Sequence, residues 1–195
     1  MKILGLYNNE CALPLFDYLE SKGHEVVRVS EKITADYCRA NCFDLAVSYT
    51  YKYILSAEIL DVLNNNAVNL HNSYLPFNRG ASPNLWSLAD ATVRGVTLHY
   101  MDADLDKGFI IAQRIVAEGD GETLKSSYDN LDKNAKELFI EAFSYYEFWN
   151  DMKKKAIGAG TYHSVSDTKV LTDVIDSYSM TIDDFLKKIK NNRPL

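Results

Sequence analysis

The sequence lacks any long hydrophobic run. Its longest uninterrupted apolar stretch is residues 109–112, whereas a helix that spans a membrane needs about 20 such residues. The apolar start, residues 1–7, turns polar at residues 8–10, which is too short for the hydrophobic region of a signal peptide. We therefore expect a cytoplasmic protein with no membrane partner.

Cysteine is scarce and odd in number. The three cysteines are Cys11, Cys38 and Cys42, and no further cluster of cysteine and histidine completes a zinc site. Cys38 and Cys42 lie four residues apart in a predicted short helix. We expect reduced thiols, as in other cytoplasmic proteins, and no zinc site.

Positive charge is also in deficit. The chain has 27 acidic and 21 basic residues, for a formal net charge of −6. Proteins that grip long nucleic acids normally carry a positive excess or a basic face. The charge balance therefore argues against a nucleic-acid partner.

Three common catalytic and nucleotide-binding motifs are missing. The first predicted strand runs into Tyr7-Asn8-Asn9-Glu10, where a dinucleotide-binding G-x-G-x-x-G motif or a Walker P-loop would place glycines. No G-x-S-x-G nucleophile elbow occurs either. These absences argue against a dinucleotide-dependent enzyme, a P-loop ATPase and an α/β-hydrolase.

What is present has the proportions of an ordinary folded domain. The 195 residues are 47% apolar, 25% charged and 12% aromatic, which is enough for one sizeable core but hardly for two full domains. We expect one main domain over residues 1–155. Residues 156–195 are expected to form a short C-terminal extension packed on that domain.

The first 71 residues alternate between strand and helix patterns. Short apolar strands are predicted at residues 2–7, 24–29, 43–49 and 67–71, separated by helices at 11–22, 35–41 and 57–63. Such alternation predicts a Rossmann-like α/β fold, with a mostly parallel sheet and flanking helices. Ligands of such sheets bind beyond the carboxyl ends of the strands.

The pattern changes in the second half of the chain. Two alternating segments between residues 95 and 116 predict an antiparallel strand pair with an acidic connection. A stripe of apolar residues at helical spacing predicts a long helix over about residues 123–153. A last short helix is expected to start at Thr181, with Asp184 at the capping position.

Asn69 and His71 are candidates for chemistry because they lie two apart on one predicted strand. Their side chains leave the same face of the sheet, at the edge where ligands bind. An amide and an imidazole there can donate two hydrogen bonds to one oxygen. The alternative is structural: Asn69 satisfies loop backbone and His71 is a core histidine. His99, in the middle of a strand, is interpreted as core.

The acidic connection offers Asp102, Asp104 and Asp106. The spacing does not match an EF-hand metal loop, and the alternative is that one carboxylate reaches a histidine and fixes its tautomer. The sequence alone does not choose among the three. In the preceding loop Arg79 suits bidentate contact with carboxylate or phosphate, although a surface arginine is the simpler interpretation.

Several segments together resemble one enzyme family. They follow the pattern N-x-H-x-S-x-L-P and, further on, D-x-G, and they comprise residues 69–80, 95–99, 105–108 and 110–113, with Pro83 and Trp86. In order and spacing they resemble the formyltransferases that use N10-formyltetrahydrofolate, over roughly residues 1–150. The resemblance implies that Asn69, His71 and Asp106 are the catalytic residues and that no metal is needed.

The resemblance also implies binding residues. The folate is expected against residues 50–55, opposite the connection after residue 101. The residues expected to bind the folate are Tyr53, Ile54, Leu55, Met101 and Asp102. The residues expected to bind the amine substrate are Asn9, Tyr74, Arg79 and Tyr162.

Departures from the family pattern favour one branch. The glycinamide ribonucleotide branch carries a glycine- and serine-rich loop where residues 8–10 stand here. The methionyl-tRNA branch carries a large C-terminal domain, whereas about forty residues follow the long helix here. What remains resembles the short enzymes that formylate nucleotide-linked amino sugars for surface polysaccharide, in which residues 8–10, Arg79 and residues 160–163 have counterparts. Glycinamide ribonucleotide, another small amine, a non-catalytic folate- or nucleotide-binding relative, and a homodimer stay open.

Overall fold

A computed structural model describes residues 1–192 and shows a six-stranded sheet with a small two-stranded one. The strands are β1 (Lys2–Leu6), β2 (Glu25–Val29), β3 (Leu45–Tyr49), β4 (Ala67–His71), β5 (Arg79–Gly80), β6 (Gly95–Tyr100), β7 (Ile110–Ile115) and β8 (Tyr162–His163). The main sheet has the order β2-β1-β3-β4-β6-β7, and β5 pairs with β8.

Strand direction divides the main sheet into two parts. The pairs β1–β2, β1–β3 and β3–β4 are parallel, while β4–β6 and β6–β7 are antiparallel. The predicted mostly parallel sheet with an antiparallel pair is therefore confirmed. The register between β4 and β6 places Asn69 opposite His99 and His71 opposite Thr97.

The described residues form eight α-helices. They are α1 (Leu13–Ser21), α2 (Ala35–Asn41), α3 (Ala57–Val62), α4 (Pro83–Ala89), α5 (Leu124–Phe143), α6 (Trp149–Met152), α7 (Val165–Thr172) and α8 (Ile182–Asn192). Side-chain caps explain several of the starts: Thr34, Ser56 and Thr123 each accept a backbone hydrogen bond in the first turn. None of these helices is long and apolar enough to cross a membrane.

The central strands β1, β3, β4 and β6 bury both of their faces. Neighbouring residues Ile3 and Leu4 belong to opposite clusters, because successive side chains in a strand point to opposite sides. One cluster lies under α1 and α5 and includes Phe16 and Leu131, and the other lies under α2 and α3 and includes Ile59. Burial on both faces accounts for the continuous apolar strands of the first half of the chain.

The long helix is shorter than predicted. α5 ends at Phe143 instead of continuing to about residue 153, and a 3-10 turn (Tyr146–Phe148) and α6 follow. The chain turns because the fully buried Trp149 donates from Nε1 to the Ala142 carbonyl, at 2.8 Å, near the end of α5. Trp149 thereby packs edge-on against Phe143, with ring centroids 6.1 Å apart. The apolar spacing continues through this turn, so periodicity did not reveal it.

Residues of α7, of α8 and of the segment between them form a third apolar cluster with α4. Trp86 and Leu85 of α4 pack in it with Leu171 and Phe185 of α7 and α8. The predicted last helix is present and starts one residue after Thr181, whose hydroxyl accepts from the Asp184 amide at 3.2 Å. Helix α7 was not predicted.

Leu131, in the cluster under α1 and α5, offers a test of the core packing. It is fully buried in α5, so Leu131→Ala should lower the free energy of unfolding by about 2–5 kcal/mol. Lys133→Ala, on the exposed side of the same helix, should change it by less than about 0.5 kcal/mol. Urea denaturation of both variants measures the difference, and equal effects would contradict the described core.

Candidate active site

Asn69, His71 and Asp106 meet at one cleft. Asn69 and His71 lie at the carboxyl end of β4 and point to the same face, and Asp106 belongs to the connection between β6 and β7. All three line a cleft of about 600 Å³, a volume within the range of small-molecule binding sites. The cleft opens where ligands bind in sheets of this kind.

Asp106 is a buried carboxylate with several partners. Its side chain is only 7% exposed, and its Oδ2 atom accepts a hydrogen bond from the Gly80 amide at 2.8 Å. The same oxygen lies 3.8 Å from His71 Nδ1, and Oδ1 lies 3.5 Å from His99 Nε2. The distance to His71 is that of an ion pair and is too long for a hydrogen bond.

These partners hold the Asp106 carboxyl in its ionised form. Burial raises the pKa of Asp106, but the charge of His71, the hydrogen bond and charge of His99, and the Gly80 amide outweigh burial and keep the pKa well below its usual range. The site therefore contains a fixed negative charge at any pH near neutrality.

His71 is held from its other side. A carbonyl oxygen can only accept, so the 3.0 Å contact between His71 Nε2 and the Asn78 carbonyl means that Nε2 carries the hydrogen. The opposite nitrogen, Nδ1, faces Asp106. When the ring is protonated, both N–H groups therefore face an oxygen.

His99 is a site residue that sequence reasoning missed. Its Nδ1 donates to the Tyr100 carbonyl at 2.8 Å, which leaves Nε2 facing the Asn69 side-chain nitrogen at 3.4 Å and Asp106. A neutral ring can accept from Asn69, and a protonated ring can donate to Asp106. His99 is buried, as expected of a core residue. Its role becomes visible only with the strand register that places it opposite Asn69.

All five residues expected at the folate side line the same cleft. They are Tyr53, Ile54, Leu55, Met101 and Asp102. Ile54 is 66% exposed although it is apolar, and Leu105 of the acidic connection also lines the cleft. The residues present therefore offer an apolar surface that a planar ring system would cover.

The four residues expected at the amine-substrate side are dispersed. Tyr162 lines the cleft, whereas Asn9, Tyr74 and Arg79 are not among its lining residues. Asn9 caps the 3-10 turn Glu10–Ala12 by accepting from the Cys11 amide at 3.0 Å. Tyr74 packs over Gly95 in β6.

The guanidinium of Arg79 is hydrogen-bonded within the protein. It donates to the backbone carbonyls of Thr161, at 3.3 Å, and Ala159, at 3.2 Å. This joins the loop after β4 to the C-terminal extension. The contact could not be read from the sequence, because it links residues about 80 positions apart.

The other acidic residues of the connection differ from Asp106. Asp104 is exposed and pairs with Lys107 at 2.9 Å, and Asp102 lines the cleft near Met101. Within residues 1–192 no group of three or more His, Cys, Asp or Glu side chains is arranged to hold a metal ion. Of the three carboxylates, Asp106 is thus the one that meets the histidines.

A model of the formyl transferase family, described as "Formyl transferase", matches residues 2–143. The chain belongs to the formyl transferase family. The methionyl-tRNA formyltransferase of Agathobacter rectalis is 33% identical over 142 residues, which are 71% of this chain and 44% of that protein. The dTDP-4-amino-4,6-dideoxyglucose formyltransferase of Mycobacterium bovis is 37% identical over 101 residues, 52% of this chain and 42% of that protein. The matches span less than half of these relatives.

A solved formyltransferase structure matches over its full length. It is PseJ from Anoxybacillus kamchatkensis, in complex with UDP-4,6-dideoxy-4-formamido-L-AltNAc and tetrahydrofolate. The identity is 34% and the TM-score is 0.84, with 97% of this chain and 100% of PseJ covered. The structural similarity to PseJ therefore extends beyond the residues matched by the family model and includes the region after residue 143.

The lowered pKa of Asp106 predicts a pH-dependent contribution to stability. The ionised carboxylate stabilises the fold above the unfolded pKa of about 3.9, and this stabilisation is lost as the pH falls towards the lower folded pKa. The difference in unfolding free energy between wild type and Asp106→Asn should therefore shift against the wild type between pH 5 and about pH 3.

Urea denaturation at several pH values measures that difference. Asp104→Asn removes one exposed negative charge from the same connection and is the matched control. A wild-type-to-Asp106→Asn difference that stays constant from pH 7 to about pH 3 would contradict the ionised, partnered carboxylate.

Proposed function

We propose that this family member transfers a formyl group from N10-formyltetrahydrofolate to the amino group of a nucleotide-linked amino sugar, for surface polysaccharide. The observation that supports it most is the cleft in which Asn69, His71 and Asp106 share one space with the residues 53–55. The full-length likeness to PseJ, whose structure holds a UDP-linked formamido sugar and tetrahydrofolate, supports the substrate class.

The residues that would hold the folate fit a planar ring. The exposed Ile54 and Met101 line the cleft, and backbone groups of Tyr53 and Leu55, which also line it, are assigned to bind the ring edge. The bound donor supplies an activated one-carbon acyl group. The hydrogen bond to the formyl oxygen and the movement of the proton are assigned to side chains of this protein.

Asn69 is assigned as a hydrogen-bond donor to the formyl oxygen. Its amide nitrogen carries two hydrogens, and neutral His99 accepts one of them at Nε2. That contact fixes the amide orientation and leaves the second hydrogen for a ligand in the cleft. A donor positioned before the reaction stabilises negative charge that develops on oxygen, without reorganisation.

His71 and Asp106 are assigned to the proton. The attacking amine must lose a proton as its nitrogen bonds to the formyl carbon, and N10 of the folate must gain one as its bond to that carbon breaks. An imidazole in the cleft can accept the first proton and relay it to the departing N10. The positive ring is then stabilised by the ionised Asp106 carboxylate 3.8 Å away. Asp106 in turn is held by the Gly80 amide.

Tyr162 is proposed at the nucleotide end. Its side chain is 53% exposed and it lines the cleft from the C-terminal extension, together with Val165. A phenol ring there can stack on a base or donate to a phosphate. Arg79 is proposed to support this end indirectly, because its guanidinium is engaged by backbone carbonyls.

The first experiment is a substrate panel. The protein is incubated with N10-formyltetrahydrofolate and, separately, amino-sugar nucleotides linked to UDP and dTDP, glycinamide ribonucleotide and methionyl-tRNA. We expect release of tetrahydrofolate and a formylated product with at least one amino-sugar nucleotide. Transfer only to glycinamide ribonucleotide or tRNA would overturn the proposed substrate, and no transfer to any amine would indicate a non-catalytic relative.

Variants of the site test the residue roles. His71→Asn and Asp106→Asn should each lower kcat by about 100-fold or more, because each removes a group that moves or stabilises charge. His24→Asn is the matched control, since His24 lies against Phe143 on another part of the molecule. Near wild-type turnover in either site variant, with the control unchanged, would remove the assignment.

A further inference from the structure

The short strand pair β5–β8 connects the active site to the C-terminal extension. The strands β5 and β8 pair in parallel, with Arg79 opposite Tyr162 and Gly80 opposite His163. Gly80 has a φ of +89°, and a Cβ on it would lie 2.3 Å from the His163 carbonyl oxygen. Residue 80 must therefore be glycine for the two strands to come this close. Its amide is the group that donates to Asp106.

The hydroxyl of Thr161 holds the residue just before β5. It accepts from the Asn78 amide at 2.7 Å and lies 3.0 Å from Asn78 Oδ1, to which it donates. Asn78 is fully buried and has a φ of +56°, so this amide has no access to water. Its side-chain nitrogen donates to Thr92 Oγ1 at 2.7 Å.

Asn78 in turn holds His71. The carbonyl oxygen of Asn78 accepts the hydrogen bond from His71 Nε2 at 3.0 Å. Asn78 thus links the two side chains: its amide donates to the Thr161 hydroxyl, and its carbonyl accepts from the His71 ring. Thr161 itself is not among the residues that line the cleft.

We infer that Thr161 is a positioning residue for the transfer reaction, acting through Asn78 to fix the imidazole of His71. This role rests on the proposed function. The Thr161 hydroxyl keeps the Asn78 carbonyl aimed at His71 Nε2, which keeps Nδ1 towards Asp106 and the ring at the cleft. A small misplacement of a catalytic group has large effects on rate, so the hydroxyl contributes to turnover although it touches no substrate.

The experiment compares Thr161→Val, which keeps the shape and removes the hydroxyl, with Thr161→Ser, which keeps the hydroxyl. The backbone bonds of Thr161 to Pro76 and Arg79 are available to both variants. The matched control is Thr34→Val, which removes a hydroxyl that caps α2 and belongs to a residue that does not line the cleft. The readouts are kcat and KM, the melting temperature, and the 15N NMR resonances of the His71 ring.

We expect Thr161→Val to lower kcat about 10- to 100-fold with little change in KM for the folate, and to shift the His71 Nε2 resonance. Thr161→Ser should restore both towards wild type, and Thr34→Val should lower only the melting temperature. An unchanged His71 resonance in folded Thr161→Val, with kcat reduced no more than in Thr34→Val, would overturn the inference.

Two further comparisons keep the inference testable. If Thr161→Val does not fold, Thr92→Val removes the other side-chain partner of Asn78 and should shift the same His71 resonance; no shift would overturn the inference. If the wild type transfers formyl to no amine, the proposed function fails, whereas the NMR comparison still decides whether Thr161 positions His71.

Discussion

The site depends on one buried charge, the carboxylate of Asp106. Removing a carboxylate from water is costly unless it is paired and hydrogen-bonded, and this one is surrounded by the Gly80 amide, His71 and His99. Its partners come from β4, β5 and β6, so the carboxylate ties together three parts of the chain. These three strands together supply the groups that stabilise the buried charge.

Each partner of Asp106 is itself fixed by the fold. His99 lies opposite Asn69 because β4 and β6 are antiparallel neighbours. Gly80 presents its amide because β5 is paired with β8 of the C-terminal extension. His71 is held by the Asn78 carbonyl, next to the same strand. The extension therefore contributes to the geometry of the site as well as to one end of the cleft.

Local periodicity was enough to predict the fold class and to place Asn69 with His71, because side-chain direction along a strand alternates with period two. It could not predict contacts that depend on register or on distant pairing. His99 needed the alignment of β4 with β6, and the engagement of Arg79 needed the contact with residues 159–161. The end of α5 was missed because Trp149 keeps the apolar spacing while it folds back onto Ala142.

In the proposed reaction Asn69 donates to the formyl oxygen, while His71, beside an ionised Asp106, accepts the proton of the amine. The most direct measurement is a crystal structure with an unreactive formyl-folate bound. We expect the folate ring between Ile54 and Met101, with the formyl oxygen within about 3.2 Å of Asn69 Nδ2. A folate bound in the neighbouring cleft lined by Phe109 and Lys153, without contact to Asn69 or His71, would contradict these assignments.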